Sequence, residues 1–278
     1  MDVERFPVGE ITTISGGTRD EIKLNRPWQV QIRVDPENCP FALGVLKEEE
    51  IIKLYRGGEW LLIENIFTPR GFHQMLVPKE CWVAEKLWDL GGIEEITLAL
   101  GIIEGVVRKN DHDLINVGVH SGYLAGQNIP HLHYHIFDPA GENISIFKNE
   151  QLPLRHVREV AETDSRIIFR HNGVTVVAGG HRAGQCYLFI DGHFDNIRFG
   201  EAVHRLLALY ADKFRSVQGL PPDFGVGLVF KEGNFCYGTI VPVLNNWCVT
   251  EYLALMGAGV ICLPWSHEKT AAHLRSGL

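Results

Sequence analysis

The stretch NIPHLHYHIF, residues 128–137, puts histidines at positions 131, 133 and 135 of a 278-residue chain that contains thirteen of them. A period of two is the pattern of a strand, on which successive side chains point to opposite faces. His131, His133 and His135 then share one face, while Leu132, Tyr134 and Ile136 share the other. The second set is apolar and suits a core, so the first opens on a cleft or a metal. Asp138 has the wrong parity to join the histidines, which leaves a metal on that face without a carboxylate ligand.

Upstream, SGYLAGQN at residues 121–128 supplies small residues next to Gln127 and Asn128. A glycine-containing turn lets backbone N–H groups approach an anion closely. An imidazole with an ordinary pKa near 6.5 is largely unprotonated at neutral pH and is a good nucleophile. Attack on phosphorus would split one hard displacement into two easier ones, with neighbouring imidazoles holding charge or protonating a leaving group. His133, flanked on both sides by such helpers, is the candidate nucleophile. A metal centre and a merely polar strand stay open as alternatives.

Working outward, the architecture reads as a duplication. ENIFTPRGFHQMLVPKE at residues 64–80 is echoed by VVAGGHRAGQCYLFIDG at 176–192, an echo that sets His73 against His181. Each copy is followed by an amphipathic helix, with Ile93, Ile96, Leu100, Ile103 and Val107 on one face in the first. Val203, Leu206, Leu207, Tyr210 and Phe214 form the matching face in the second. Paired strands follow: DLINVGV and HLHYHIFDP in the first copy, DFGVGLVF and NFCYGTIVP in the second. Matching Tyr134 to Tyr237 and Pro139 to Pro242 places Asn234, Cys236 and Gly238 where the first copy has its histidines. The expected class is α+β, with two repeats of mostly antiparallel sheet and one helix each. Residues 1–150 and 151–278 form the two units, divided within the polar stretch at 147–166. The lead-in carries a helical segment, LKEEEIIKLY at 46–55, and residues 263–278 form a last amphipathic helix.

INVGVHSGYLAGQNIPHLHYHIF at residues 115–137 resembles the signature of the histidine-triad (HIT) superfamily: an Asn-x-Gly strand, then Gly-Gln, then His-x-His-x-His. GFHQMLVPKE at 71–80 resembles the superfamily's upstream His-x-x-x-x-Pro-Lys strand. The doubling, with a silent second copy, is similar to the galactose-1-phosphate uridylyltransferase branch. The resemblance implies that His133 takes up a nucleoside monophosphate covalently. It also implies that Gly126 and Gln127 bind the α-phosphate with Asn128 beside them, that His135 is a phosphate ligand, and that His131 belongs to the catalytic set. Asn116 is implied near the phosphate or ribose, and His73 near the site. In that branch a Gln usually holds the third motif position and a Pro lies between the first two histidines. His135 and Leu132 stand there instead, as in the hydrolase branches. Transferases of the branch often carry a structural zinc; its counterparts here are Cys39, Cys81 and His131, with Ala42 in place of a second Cys-x-x-Cys thiol.

Composition narrows the partners. Lys plus Arg number 26 against 34 Asp plus Glu, a net charge of −8 that disfavours nucleic acid. Apolar runs such as GAGVICL at 257–263 are far below the roughly 20 residues of a membrane span, and the first residues do not resemble a signal peptide. The six cysteines include no Cys-x-x-Cys pair, which points to free thiols and a cytoplasmic location. The expected activity is nucleotidyl transfer from a nucleotide-sugar or dinucleoside polyphosphate to a phosphorylated small molecule or phosphate. No dissociable cofactor is required, and a homodimer is expected by analogy with the branch. The alternatives are a HIT-type hydrolase of dinucleoside polyphosphates or phosphoramidates, and a non-catalytic nucleotide-binding protein.

Overall fold

A computed structural model describes residues 50–65, 72–79, 92–122, 131–138, 163–180, 182–214, 222–244 and 266–278, with Cys39, Phe41, Leu46, Ala125 and Gln127. The first unit contains β1 (Ile51–Tyr55), β2 (Trp60–Glu64), β3 (His73–Pro78), α1 (Ile93–Val107), β4 (Leu114–Ser121) and β5 (Tyr134–Phe137). The second contains β6 (Ile167–His171), β7 (Val174–Ala178), β8 (Cys186–Ile190), α2 (Asn196–Lys213), β9 (Phe224–Lys231) and β10 (Asn234–Pro242), and α3 (His267–Arg275) follows. The expected division near residues 147–166 falls largely outside the described residues.

The ten described strands form one sheet in the order β1-β2-β3-β5-β4-β9-β10-β8-β7-β6, and all their pairings are antiparallel. The order is the same when read from either edge, so the two units are related by a pseudo-two-fold through β4 and β9, where Gly118 lies opposite Gly227. Both long helices pack on one face of the sheet and against each other. The periodicity read from the sequence places them: Ile96, Leu100, Ile103 and Val107 are buried on α1, as are Val203, Leu206, Leu207 and Tyr210 on α2. Capping follows the sequence as well. The Asp195 carboxylate accepts from the Ile197 and Arg198 N–H groups at 3.0 and 3.0 Å, and Ser266 caps α3 through the Lys269 N–H. The opposite face of the first unit is covered by Cys39, Phe41 and Leu46, which pack on Leu61, Ile63, Met75 and Val77.

Two sequence expectations are corrected here. Residues 51–55 form strand β1 rather than part of a helix. The β-branched pair Ile51 and Ile52 favours extended backbone, and Arg56, Gly57 and Gly58 at φ 49°, 66° and 97° turn the chain back onto β2. The alignment of the repeats also shifts by one residue. Tyr134 lies opposite Leu76 and Val119 on the helix face, and the residue in that ladder position of the second unit is Gly238, opposite Leu188 and Leu228. Tyr237 points to the other face, into a cluster with Ile167, Val177 and Tyr187. Thr239 therefore takes the place of His135, Tyr237 takes that of His133, and Gln185, two residues before Tyr187, takes that of His73. Cys236 lies at the β-bulge in β10, and His181 lies outside the described residues.

Tyr134 projects from β5 toward the helices, where its hydroxyl is enclosed without a hydrogen-bond partner among the described residues. Ile96, Leu100, Val117, Val119, Phe199 and Val203 line the small pocket around it, an apolar wall with nothing to donate or accept. Burial pushes the phenol far above its ordinary pKa. Burying an unpaired hydroxyl costs more than its bond to water returns, so Tyr134→Phe is expected to raise stability by about 1 kcal/mol. Urea unfolding of the two proteins measures the difference.

Candidate active site

The motif does not run as one strand through all three histidines. β5 begins at Tyr134, and residues 131–133 approach it in irregular backbone. His131 turns inward and is completely buried; its Nε2–H donates to the Pro78 carbonyl at 2.8 Å, and its Nδ1 lies 3.1 Å from Cys39 Sγ. It joins the end of β3 and the lead-in to the motif, and both ring nitrogens are engaged in doing so. The expectation that all three imidazoles face one cleft is corrected to that extent.

His133 is 7% exposed, and its Nδ1 lies 2.7 Å from the His131 carbonyl oxygen. A carbonyl only accepts, so Nδ1 carries the proton and Nε2 keeps a bare lone pair. Burial pushes the imidazole down to about 4; the bond to the His131 carbonyl opposes this, and the neighbouring His131 and His120 add to it. At neutral pH the ring is uncharged, in one tautomer and nucleophilic at Nε2.

His135 stands on β5 between Met75 and Gly118, with its ring 4.9 Å from that of His133 and nearly perpendicular to it. A Cβ placed on Gly118 would meet nothing within 4 Å, so the face beside His135 is open. His73 Nε2 lies 2.9 Å from His135 Nδ1, and the Asn65 amide nitrogen lies 3.1 Å from His73 Nδ1 and 3.0 Å from its Nε2. Each ring nitrogen has one lone pair. The arrangement with one donor per lone pair has Asn65 donating to His73 Nδ1, and His73 Nε2–H donating to His135 Nδ1. His135 then carries its proton on Nε2, as a donor. The second unit has Gln185 Nε2 donating to Thr239 Oγ1 at 3.1 Å in the corresponding place.

A fourth imidazole completes the constellation. His120 lies on β4, on the same sheet face as Gly118 and Asn116, with its ring 6.4 Å from that of His135. Its side chain is exposed and bonded to the Ala125 carbonyl, and partial burial lowers its pKa while that bond opposes the shift. The motif reading passed over it, although its even spacing from Asn116 and Gly118 was visible in NVGVHS. Asn116 is half-buried in the same row, opposite Phe137 and Val229.

Gln127 is buried and braces its own loop. Its Oε1 accepts from the Gly122 N–H at 3.0 Å, and its N–H donates to the Gly122 carbonyl at 3.1 Å. Gly122 has φ 90°, and a Cβ there would overlap the Asp223 carboxylate, so the turn into the loop requires glycine. Gly126, Asn128 and Cys81 lie outside the described residues. For a zinc, the described donors are Cys39 and His131. Thiolate and imidazole ligands on one tetrahedral zinc stand roughly 3.5 Å apart, and a structural site takes four. At 3.1 Å the pair has hydrogen-bond separation, and among the described residues no group of three or more His, Cys, Asp or Glu could hold a metal.

The neutral histidines make the protein acid-sensitive. His133 binds a proton near pH 6.5 when unfolded and only near 4 when folded; His73, His120 and His131 are shifted in the same direction by burial. The unfolded chain therefore binds more protons between these values, and the stability present above pH 6.5 is lost as pH falls through 4. For His133 alone the loss is on the order of 3 kcal/mol. Urea midpoints at pH 7, 6 and 5 are expected to fall in that order, and a flat profile contradicts burial of the neutral rings.

Among the described residues no helix is long and apolar enough to cross a membrane. No protein-family model matches the sequence, and no curated protein matches it. Solved structures do match. A uridylyltransferase mutant is 17% identical with a TM-score of 0.62, over 89% of this chain and 93% of that one. A GalT-like protein from Arabidopsis thaliana is 17% identical with a TM-score of 0.62, over 85% and 91%. An ADP-glucose phosphorylase from Arabidopsis thaliana, solved with bound ADP-glucose, is 14% identical with a TM-score of 0.60, over 85% and 88%. Likeness along nearly the whole of both chains, together with the two-fold sheet, shows that this chain shares the fold of these uridylyltransferase and phosphorylase structures.

Proposed function

We propose that the protein is a nucleotidyltransferase that moves a nucleoside monophosphate through a covalent His133 intermediate. The observation that carries the reading is the His133 ring itself: buried, neutral, and held by the His131 carbonyl so that Nε2 is the nucleophilic lone pair. His135, whose Nδ1 accepts from His73, offers its Nε2–H to a phosphate oxygen. Asn116 contributes from the same face, and the family resemblance assigns Gly126, Gln127 and Asn128 to binding of the α-phosphate. His131 supports the site by orienting His133 through its carbonyl. The donor is a nucleotide-sugar or dinucleoside polyphosphate, and the acceptor is a phosphorylated small molecule or phosphate. The ADP-glucose held by one structural relative is a donor of this class.

His135 favours a second reading, with water as the acceptor, because it stands where the transferases usually carry Gln. Single-turnover incubation with labelled nucleotide-sugar separates the two. Faster discharge to a phosphorylated acceptor than to water is expected, and discharge to water alone would establish the hydrolase.

A further inference from the structure

The four cleft-facing imidazoles form a gradient of exposure. His133 is 7% exposed, His73 and His135 are half-buried, and His120 is exposed. A group held on His133 stays at the bottom of that gradient between the two half-reactions. The leaving group departs to solvent from its open end, and the acceptor enters there.

The geometry points to His120 as the residue that contacts the exchanging phosphate, the one that leaves the donor and is replaced by the acceptor. This rests on the nucleotidyl-transfer reading, in which the group beyond the transferred phosphorus is itself a phosphate, and assigns the residue that binds that phosphate. Position supports the assignment. His120 lies on the same face of β4 as Gly118, its ring is 6.4 Å from that of His135, and it is close enough to His133 to act on that ring's charge. Its neighbour on β9 is Gly225, which has no side chain to cover it. The Ala125 carbonyl holds one ring N–H and so fixes the direction of the ring. A second N–H for a phosphate oxygen comes with the imidazolium, which adjacent phosphate charge favours.

In the first half-reaction His133 Nε2 attacks the α-phosphorus. The N–P bond forms, the P–O bond to the bridging oxygen breaks, and the electron pair departs on that oxygen as part of the leaving phosphate, which His120 binds. In the second, an oxygen of the acceptor phosphate supplies the pair to phosphorus and the N–P bond breaks. His133 returns to the neutral ring, with its Nδ1–H donating to the His131 carbonyl throughout.

The test compares two donors of the same nucleoside: its diphosphate sugar, whose leaving group is a phosphate, and its 5′-monophosphate p-nitrophenyl ester, whose leaving group is not. The rate of His133 adduct formation is followed by quenched intact mass in wild type, His120→Ala and His120→Asn. Asn is included because it keeps a donor for the Ala125 carbonyl and guards against a disturbed loop. Both variants are expected to lose roughly 100-fold with the diphosphate sugar, the scale of one lost donor to a developing oxyanion, and far less with the aryl ester. Equal losses on the two donors overturn the assignment. Failure of the wild type to form an adduct with either donor overturns the underlying transfer reading instead, so the two failures are distinguishable.

Discussion

Replacing His133 with alanine is expected to lower turnover by on the order of 10⁴-fold, because it removes the proposed nucleophile and not merely a contact. The other two histidines of the motif do not take over. His131 has both nitrogens committed, to Pro78 and Cys39, and with His135 Nδ1 accepting from His73 Nε2–H the His135 proton sits on Nε2. Steady-state rates with a nucleotide-sugar check the size of the loss, and thermal unfolding of the variant shows that the scaffold persists. A loss of only a few-fold would mean that another group attacks phosphorus.

The second large effect falls on the packing that holds the two units to their helices. Phe199 is fully buried on α2, with its ring 5.4 Å from Phe194 and 5.0 Å from Phe235. A Cβ on Gly238 would lie 2.6 Å from its Cζ, so the ring fills the space that the glycine leaves in β10. It also borders the pocket shared with Ile96 and Leu100 of α1. Truncation leaves a cavity between α1, α2 and the sheet. Phe199→Ala is expected to cost about 3–5 kcal/mol and to lower the Tm by about 10 °C in a thermal melt. A change under 1 kcal/mol would mean that this interface is loosely packed.

What was legible in the sequence followed from local periodicity. Leu132, Tyr134 and Ile136 are buried at 1%, 4% and 0%, as the alternation in HLHYHIF requires. The helical stripes on α1 and α2 were readable because four or five apolar residues recur at helical spacing. The helix expected in residues 46–55 failed because Ile51–Tyr55 is an edge strand. Ile52 and Leu54 are exposed there at 43% and 56%, so no clean alternation marks it. The repeat alignment slipped by one because Tyr134 and Tyr237 share a residue type while pointing to opposite faces, and only the ladder registers reveal that parity.

The site was harder to read because its members are joined by tertiary contacts. His131 belongs by spacing with His133 and His135, and what turns it inward is Pro78 and Cys39, 53 and 92 residues away in sequence. His120 lies outside the His-x-His-x-His pattern and joins the cleft only when β4 is laid beside β5. The imidazoles brought together in space are His73, His120, His133 and His135. Three strands and the turn before β5 contribute them, and one short motif does not contain them.

The most direct test of the covalent mechanism is the intact mass of the protein after brief mixing with a panel of nucleotide donors and an acid-free quench. A gain of one nucleoside monophosphate in the wild type, absent from His133→Ala, is the predicted result and identifies the base at the same time. Turnover of a donor with no such adduct, or an adduct that persists in His133→Ala, would contradict it.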